Sequence, residues 1–367
     1  PFRLCSAVAI PCWASLRTQH LKRETSMFQV WTSSGFHSGP AQIVAEAQRA
    51  EAMGYDCFAV VDSVHDGLIG AALAIQATER IEIATSALAC FPRSPMTTAV
   101  AAWDLQQWSA GRFRLGLGPL IKPIIVGKYA TPWVPPAPRM REYVQSLKAI
   151  FDCWQNDVPL NYRGEFYSFT RQQEYSKPAK LEHPFIPIHL AAIGPNMTAL
   201  SGEVADALFP HPTNSSGRYI AEVMLPNAER GAKRVGRAIG DLSVIANPLT
   251  AIGSSQAAID AQRESHRATL ATLYSTPNYW PSLSLYGWGD VGTTLKTLVK
   301  ESRWDELPAM ITDEMLEAFV PSGHFDEIGS ALREQFGDIA DGILISLPDD
   351  PNEDAAVART IEDLHRA

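Results

Sequence analysis

The chain has 367 residues, a formal net charge of −9, 46% hydrophobic residues and 19% charged ones. No uninterrupted apolar run approaches the ~18 residues of a membrane-spanning helix, and an acidic balance without a Lys/Arg cluster argues against a nucleic-acid partner. The five cysteines (Cys5, Cys12, Cys57, Cys90 and Cys153) are odd in number, widely spaced and free of any CxxC pair, so neither a disulfide framework nor a metal site is expected and a reducing cytoplasm is the expected location.

Residues 1–26 stand apart. They carry one acid (Glu24) against Arg3, Arg17, Lys22 and Arg23, show no clear period, and precede the first strand-like segment at Met27. They read as an extension outside the fold, an arm or an over-extended start; a signal peptide fits poorly, because Pro11 interrupts the apolar stretch and the bases follow it.

From Met27 onward, short apolar runs alternate with helix-period segments, the signature of βαβ units. The pattern predicts strands at 27–31, 57–62, 81–88, 112–117, 187–192, 206–209, 242–251 and 342–347. Between the first two, Pro40 opens a helix whose face is Ile43, Ala47 and Ala50 and whose stop is Gly54. Further helices are expected near 97–109, 138–156, 196–204, 216–238, 255–273 and 353–366. Eight strands imply one closed TIM (β/α)8 barrel over residues 27–367, with insertions after strands 4 and 7. The first insertion, within 160–180, contains NYRGEFYSF and predicts a hairpin. The second, 274–335, gathers Tyr274, Tyr279, Trp280, Tyr286 and Trp288, either as a lid over the site or as aromatics that fasten the insertion to itself.

In such a barrel the chemistry belongs at the strand C-termini. His65 follows strand 2 in VVDSVHD, where an imidazole could donate a proton, or could simply bond to its own loop. Strand 5 runs through Ala192 into Ile193-Gly194-Pro195 and directly into a helix, leaving free N–H groups that could cradle a phosphate. Strand 4 ends at Gly118, after which Pro119, Leu120, Ile121 and Ile124 offer no carboxylate; the segment does offer Lys122, for an anionic cofactor or substrate or for solvent. Arg139, at the start of the fourth helix, could reach a phosphate or sit on the helix surface. His211, in FPHPTN, reads more readily as structural.

The ordered blocks ATERIEI, FPRSPMTTAVAAWDLQQWSAGRFRLGLG, RMREYVQSLKAIFDCW, YRGEFYSF and IPIHLAAIGPNMTALSGEVADALFPHP resemble the bacterial luciferase-like superfamily, and among them the oxidoreductases that use the deazaflavin coenzyme F420. The resemblance implies a non-prolyl cis peptide at Ser86 and Ala87 as a backrest for the cofactor ring, and a cofactor phosphate on the Ala192–Pro195 loop. It further implies hydride exchange with a small organic substrate, with His65 as a proton donor. Two alternatives stay open: an FMN-dependent monooxygenase using reduced flavin and dioxygen, and a barrel that binds a cofactor without turnover. The resemblance is compatible with a homodimer and leaves the oligomeric state open. The carboxylate-free strand 4 end weakens any claim of sugar-phosphate dehydrogenation.

Overall fold

A computed structural model describes residues 27–366; the expected extension at 1–26 lies outside them. Eight strands, β1 (Gln29–Ser33), β2 (Cys57–Val60), β3 (Glu82–Thr85), β4 (Phe113–Gly118), β5 (Ile188–Ala192), β6 (Ala207–Pro210), β7 (Ser243–Ala246) and β8 (Gly342–Leu344), pair in parallel in chain order. Closure comes from β1 against β8, with Trp31 beside Leu344, and the expected TIM barrel is what forms. Each strand is buried on both faces. Val30, Phe58, Ile83, Leu115, Leu190, Leu208, Val244 and Ile343 face the helices, while Trp31, Ala59, Ala84, Phe209, Ile245 and Leu344 fill the barrel. That double burial is why the strands read in the sequence as continuous apolar runs rather than alternating ones. Inside, the large rings of Trp31 and Phe209 (centroids 5.9 Å apart) stand opposite alanines, the size complementarity a tapering barrel needs.

Strand β3 breaks after Thr85. The Ser86–Ala87 peptide is cis, as the resemblance implies, and pairing resumes at Leu88–Ala89 against Leu117 and Gly118. At the break the Thr85 hydroxyl donates to the Gly116 carbonyl (2.8 Å) and accepts from the Gly116 amide (3.0 Å). A Cβ at Gly116 would overlap the Thr85 carbonyl oxygen, so this position of β4 has room only for glycine.

Two expectations need amendment. The predicted strand 242–251 is two pieces: β7 ends at Ala246, Asn247 and Pro248 leave the barrel, and Ala251–Gly253 pairs instead with Ser322–His324. Proline cannot donate to a ladder, which accounts for the break. Conversely, helices at Gly67–Ala77 and Phe325–Phe336 were not expected. The first, GLIGAALAIQA, is apolar on every side and so shows no period; it is started by the Asp66 carboxylate, which accepts from the Leu68 and Ile69 amides (2.9 and 3.2 Å).

The insertions pack in different ways. The hairpin Tyr162–Arg163/Ser168–Phe169 is held to helix Pro136–Asn156 by Glu142, whose carboxylate accepts from the amides of Glu165, Phe166 and Tyr167 (2.8, 2.7 and 3.1 Å). The larger insertion has its own core, in which Tyr286 and Trp288 stack (4.9 Å) and both meet Phe319 edge-on. Most of its aromatics therefore fasten it internally.

Helices Pro195–Val204 and Leu225–Arg234 cross with their backbones in contact. A Cβ at Gly202 would overlap the Ala228 carbonyl, and one at Gly231 the Ala199 carbonyl, so each glycine admits the other helix. Gly231→Ala is expected to cost about 2–3 kcal/mol by forcing the helices apart, read as a lowered urea midpoint at unchanged slope.

Candidate active site

Side chains alternate along a strand, so the residue two beyond each barrel-filling position belongs to the ring at the C-terminal mouth. From Trp31, Ala59, Ala84, Gly116, Ala191, Phe209, Ile245 and Leu344 this count gives Ser33, Val61, Ser86, Gly118, Ile193, His211, Asn247 and Ser346. The ring is small and holds no Asp, Glu, Lys or Arg; His211 is its one titratable side chain.

One wall of the mouth is built from methyl-sized groups. A Cβ at Gly118 would stand 3.1 Å from the Ala87 Cβ and 3.8 Å from that of Ala191, so no side chain projects past Cβ there. Beneath lies a small internal cavity lined by Trp31, Ser86, Ala87, His189, Ala191 and Phe209. Hydrogen bonds from behind fix the wall. The Gly118 carbonyl accepts from the Cys90 amide (3.3 Å) and thiol (3.2 Å), and burial pushes that thiol's pKa well up, keeping it a protonated donor. Asp62, its side chain 5% exposed, accepts from the Ala89 amide (2.8 Å), just beyond the cis bond, and from the Gly67 amide (2.8 Å). Arg93 bridges Asp62 (3.5 Å) and Asp66 (2.6 Å). Removing this carboxylate leaves the Ala89 and Gly67 amides without their acceptor, while Arg93 keeps Asp66 and the Ala89 carbonyl (3.2 Å). Asp62→Ala is expected to cost about 3 kcal/mol, measured by equilibrium denaturation.

Beside the wall stands the Ile193-Gly194-Pro195 turn, which follows β5, the strand paired with β4. Gly194 is the N-cap of helix Pro195–Val204, no side chain caps that end, and a Cβ on Gly194 would meet nothing within 4 Å. The turn is held from below, by Thr198, whose amide and hydroxyl both donate to the Gly194 carbonyl (3.1 and 3.0 Å), and by the Tyr219 hydroxyl donating to the Ile193 carbonyl (3.1 Å). Burial raises the Tyr219 pKa to about 12, so it stays a donor. Free amides at an uncapped helix start, open to the mouth, are an anion-binding geometry.

The residues singled out in the sequence fall into two groups. Ser86, Ala87, Gly118, Ala192, Ile193, Gly194 and Pro195 come together around the mouth. His65 is exposed, and its Nε2 stands beside Gly39 in the loop after β1, where a Cβ would come within 3.7 Å of it. Arg139 is used within the protein: it donates to the Tyr167 hydroxyl (2.9 Å) and to the carbonyls of Phe91 and Pro132 (3.2 and 3.4 Å), and lies over the Phe91 ring. Lys122 is exposed. The support that Asp62 and Tyr219 give the wall and the turn carried no sequence signal, since the Ala89 amide and Ile193 carbonyl they engage lie 27 and 26 residues away.

His211 is the stronger histidine of the site. Its Nδ1 receives the Thr213 amide (3.3 Å) and lies 2.8 Å from the Thr213 hydroxyl, while its ring stacks on Tyr279 of the large insertion (4.5 Å, 18°). Burial lowers its pKa to about 4, so the ring is neutral at pH 7. The alternation that puts Phe209 inside the barrel would have identified it. Among the described residues no cluster of His, Cys, Asp and Glu could hold a metal ion, and no helix is long and apolar enough to cross a membrane.

This arrangement has relatives. The chain is 37% identical over 308 residues to an uncharacterized protein of Mycobacterium tuberculosis, covering 83% of this chain and 90% of that one. It is 25% identical over 226 residues to an F420-dependent glucose-6-phosphate dehydrogenase of Intrasporangium calvum, covering 58% and 66%. In fold it matches the coenzyme F420 dependent tetrahydromethanopterin reductase of Methanopyrus kandleri with a TM-score of 0.76 at 19% identity, over 93% of this chain and 99% of that one. The profile of the luciferase-like monooxygenases matches residues 25–357, nearly the whole barrel, and the chain belongs to that family.

Proposed function

We propose that this protein is an F420-dependent oxidoreductase that exchanges a hydride with an organic substrate at the barrel mouth. The observation that carries this reading is the pairing of a side-chain-free wall (Ala87, Gly118, Ala191) with an uncapped helix start at Gly194. The first suits a flat ring and the second a phosphate. These residues fit such a cofactor. Ser86 and Ala87 would back the ring, and Ala192, Ile193, Gly194 and Pro195 would hold the phosphate end. When bound, coenzyme F420 supplies a two-electron hydride donor or acceptor. The protein's share is to bind, orient and keep water out. Asp62 and Cys90 hold the wall, Tyr219 and Thr198 hold the turn, and the large insertion covers the β6 side. A relative that carries F420 in its name favours the deazaflavin over FMN.

The test is anaerobic: reduced F420 mixed with the protein and a panel of organic oxidants, followed by absorbance. Substrate-dependent oxidation without dioxygen is expected. Turnover that requires dioxygen and reduced FMN, with no response to reduced F420, would identify a monooxygenase instead.

A further inference from the structure

The His211 imidazole uses only one of its two nitrogens within the protein. Nδ1 is engaged by Thr213, whereas Nε2 has no partner among the described residues. The place of the imidazole is also fixed. His211 follows the inward-facing Phe209 by two residues on extended backbone (φ −74°, ψ 148°), so the ring continues the barrel-lining row up to the mouth.

The neighbours set the tautomer. The Thr213 backbone N–H is directed at Nδ1 (3.3 Å), and we assign Nδ1 as its acceptor, which leaves the hydrogen on Nε2. The Thr213 hydroxyl can then donate to Nδ1 (2.8 Å) if the buried Asn214 amide is turned over, its NH2 donating to the Thr213 oxygen at 2.9 Å. That orientation also gives the Asn214 NH2 a partner, which the opposite one leaves without any. The insertion locks the turn: the hydroxyls of Tyr274 and Ser282 both donate to the Thr213 carbonyl (2.9 and 2.6 Å), and Tyr279 fixes the imidazole plane.

We propose that His211 Nε2–H is the hydrogen-bond donor that holds the substrate, and that the substrate presents to it an uncharged carbonyl oxygen, or the hydroxyl formed from it. This deepens the F420-dependent reading and rests on it. Reduced F420, when bound, would supply the hydride for the carbonyl carbon; as the C=O π bond opens, the oxygen would take a proton from solvent to give the alcohol. His211 polarises the oxygen and keeps its own proton. A neutral donor matches an uncharged acceptor, and burial keeps this imidazole neutral down to a pH near 4. The rest of the ring agrees: Ser33, Val61, Ser86, Gly118 and Ile193 supply no charge to meet a carboxylate or phosphate on the substrate.

The experiment uses the full chain loaded with oxidised F420, in wild-type, His211→Phe and His211→Gln forms. Long-range 1H–15N spectra of the imidazole should show an Nε2–H tautomer from pH 5.5 to 8, assigned by its loss in His211→Phe. Acetone, cyclohexanone and acetophenone then serve as infrared probes. Binding to wild-type protein should move the carbonyl stretch to lower wavenumber, His211→Phe should abolish the shift while keeping the ring stack, and His211→Gln should restore part of it. An Nδ1–H tautomer, an equal shift in His211→Phe, or no saturable binding of any probe by wild-type protein overturns the proposal. F420 affinity is measured on the same samples: if wild-type protein does not bind F420, the underlying function fails, and if it binds while the shift ignores His211, only this inference does.

Discussion

Gly194→Asp should move stability and cofactor affinity in opposite directions. The helix that starts at Pro195 has no side-chain cap, and Gly194 has φ −96° and ψ 170°, extended backbone that aspartate adopts without strain. A carboxylate there would accept from the free amides and favour the positive helix end, raising stability by about 0.5 kcal/mol. Those are the amides assigned to the cofactor phosphate, and the new charge would also repel it. Affinity for F420 should fall at least about tenfold, or about 1.4 kcal/mol. Thermal denaturation and fluorescence titration on the same samples read both effects. A more stable variant that bound F420 as before would show that the phosphate sits elsewhere.

Gly116→Ala should be the most damaging single change in the barrel. Its new Cβ would overlap the Thr85 carbonyl, and β4 cannot retreat because it is paired on both sides, to β3 and to β5. Separating the strands would also break the two hydrogen bonds that the Thr85 hydroxyl makes to Gly116. The expected cost is about 3 kcal/mol or more, with a displaced Ser86–Ala87 wall in whatever remains folded. Gly127→Ala is the control, since a Cβ there meets nothing within 4 Å, and it should leave the urea midpoint nearly unchanged. Equal midpoints for the two variants would contradict the close approach of β3 and β4.

The barrel was legible because burial on both faces makes each strand a continuous apolar run, and because residues such as Pro40 and Gly54 mark helix ends. Helix Gly67–Ala77 escaped for the complementary reason: a helix without a polar face has no period to detect. Strand 7 was read too long because Ala251 and Ile252 are apolar for another purpose, the small sheet with Ser322–His324. At the site, the turn at Gly194 could be read from a glycine and proline between strand and helix, whereas the cis bond followed only from resemblance. Arg139 shows the limit of composition. It looked available for a phosphate, and the hairpin and the loop after β3 engage it instead. His211 shows what strand parity adds, because the residue is ordinary in FPHPTN and distinctive only once Phe209 is known to point inward.

The central claim is that a deazaflavin, rather than FMN, sits between the Ala87–Gly118 wall and the Gly194 turn. Its most direct measurement is an equilibrium titration of the purified protein with oxidised F420 and with FMN, alone and in competition. Saturable F420 binding that Gly194→Asp weakens and that FMN displaces poorly is the predicted result; tight FMN binding with no response to F420 would contradict the account.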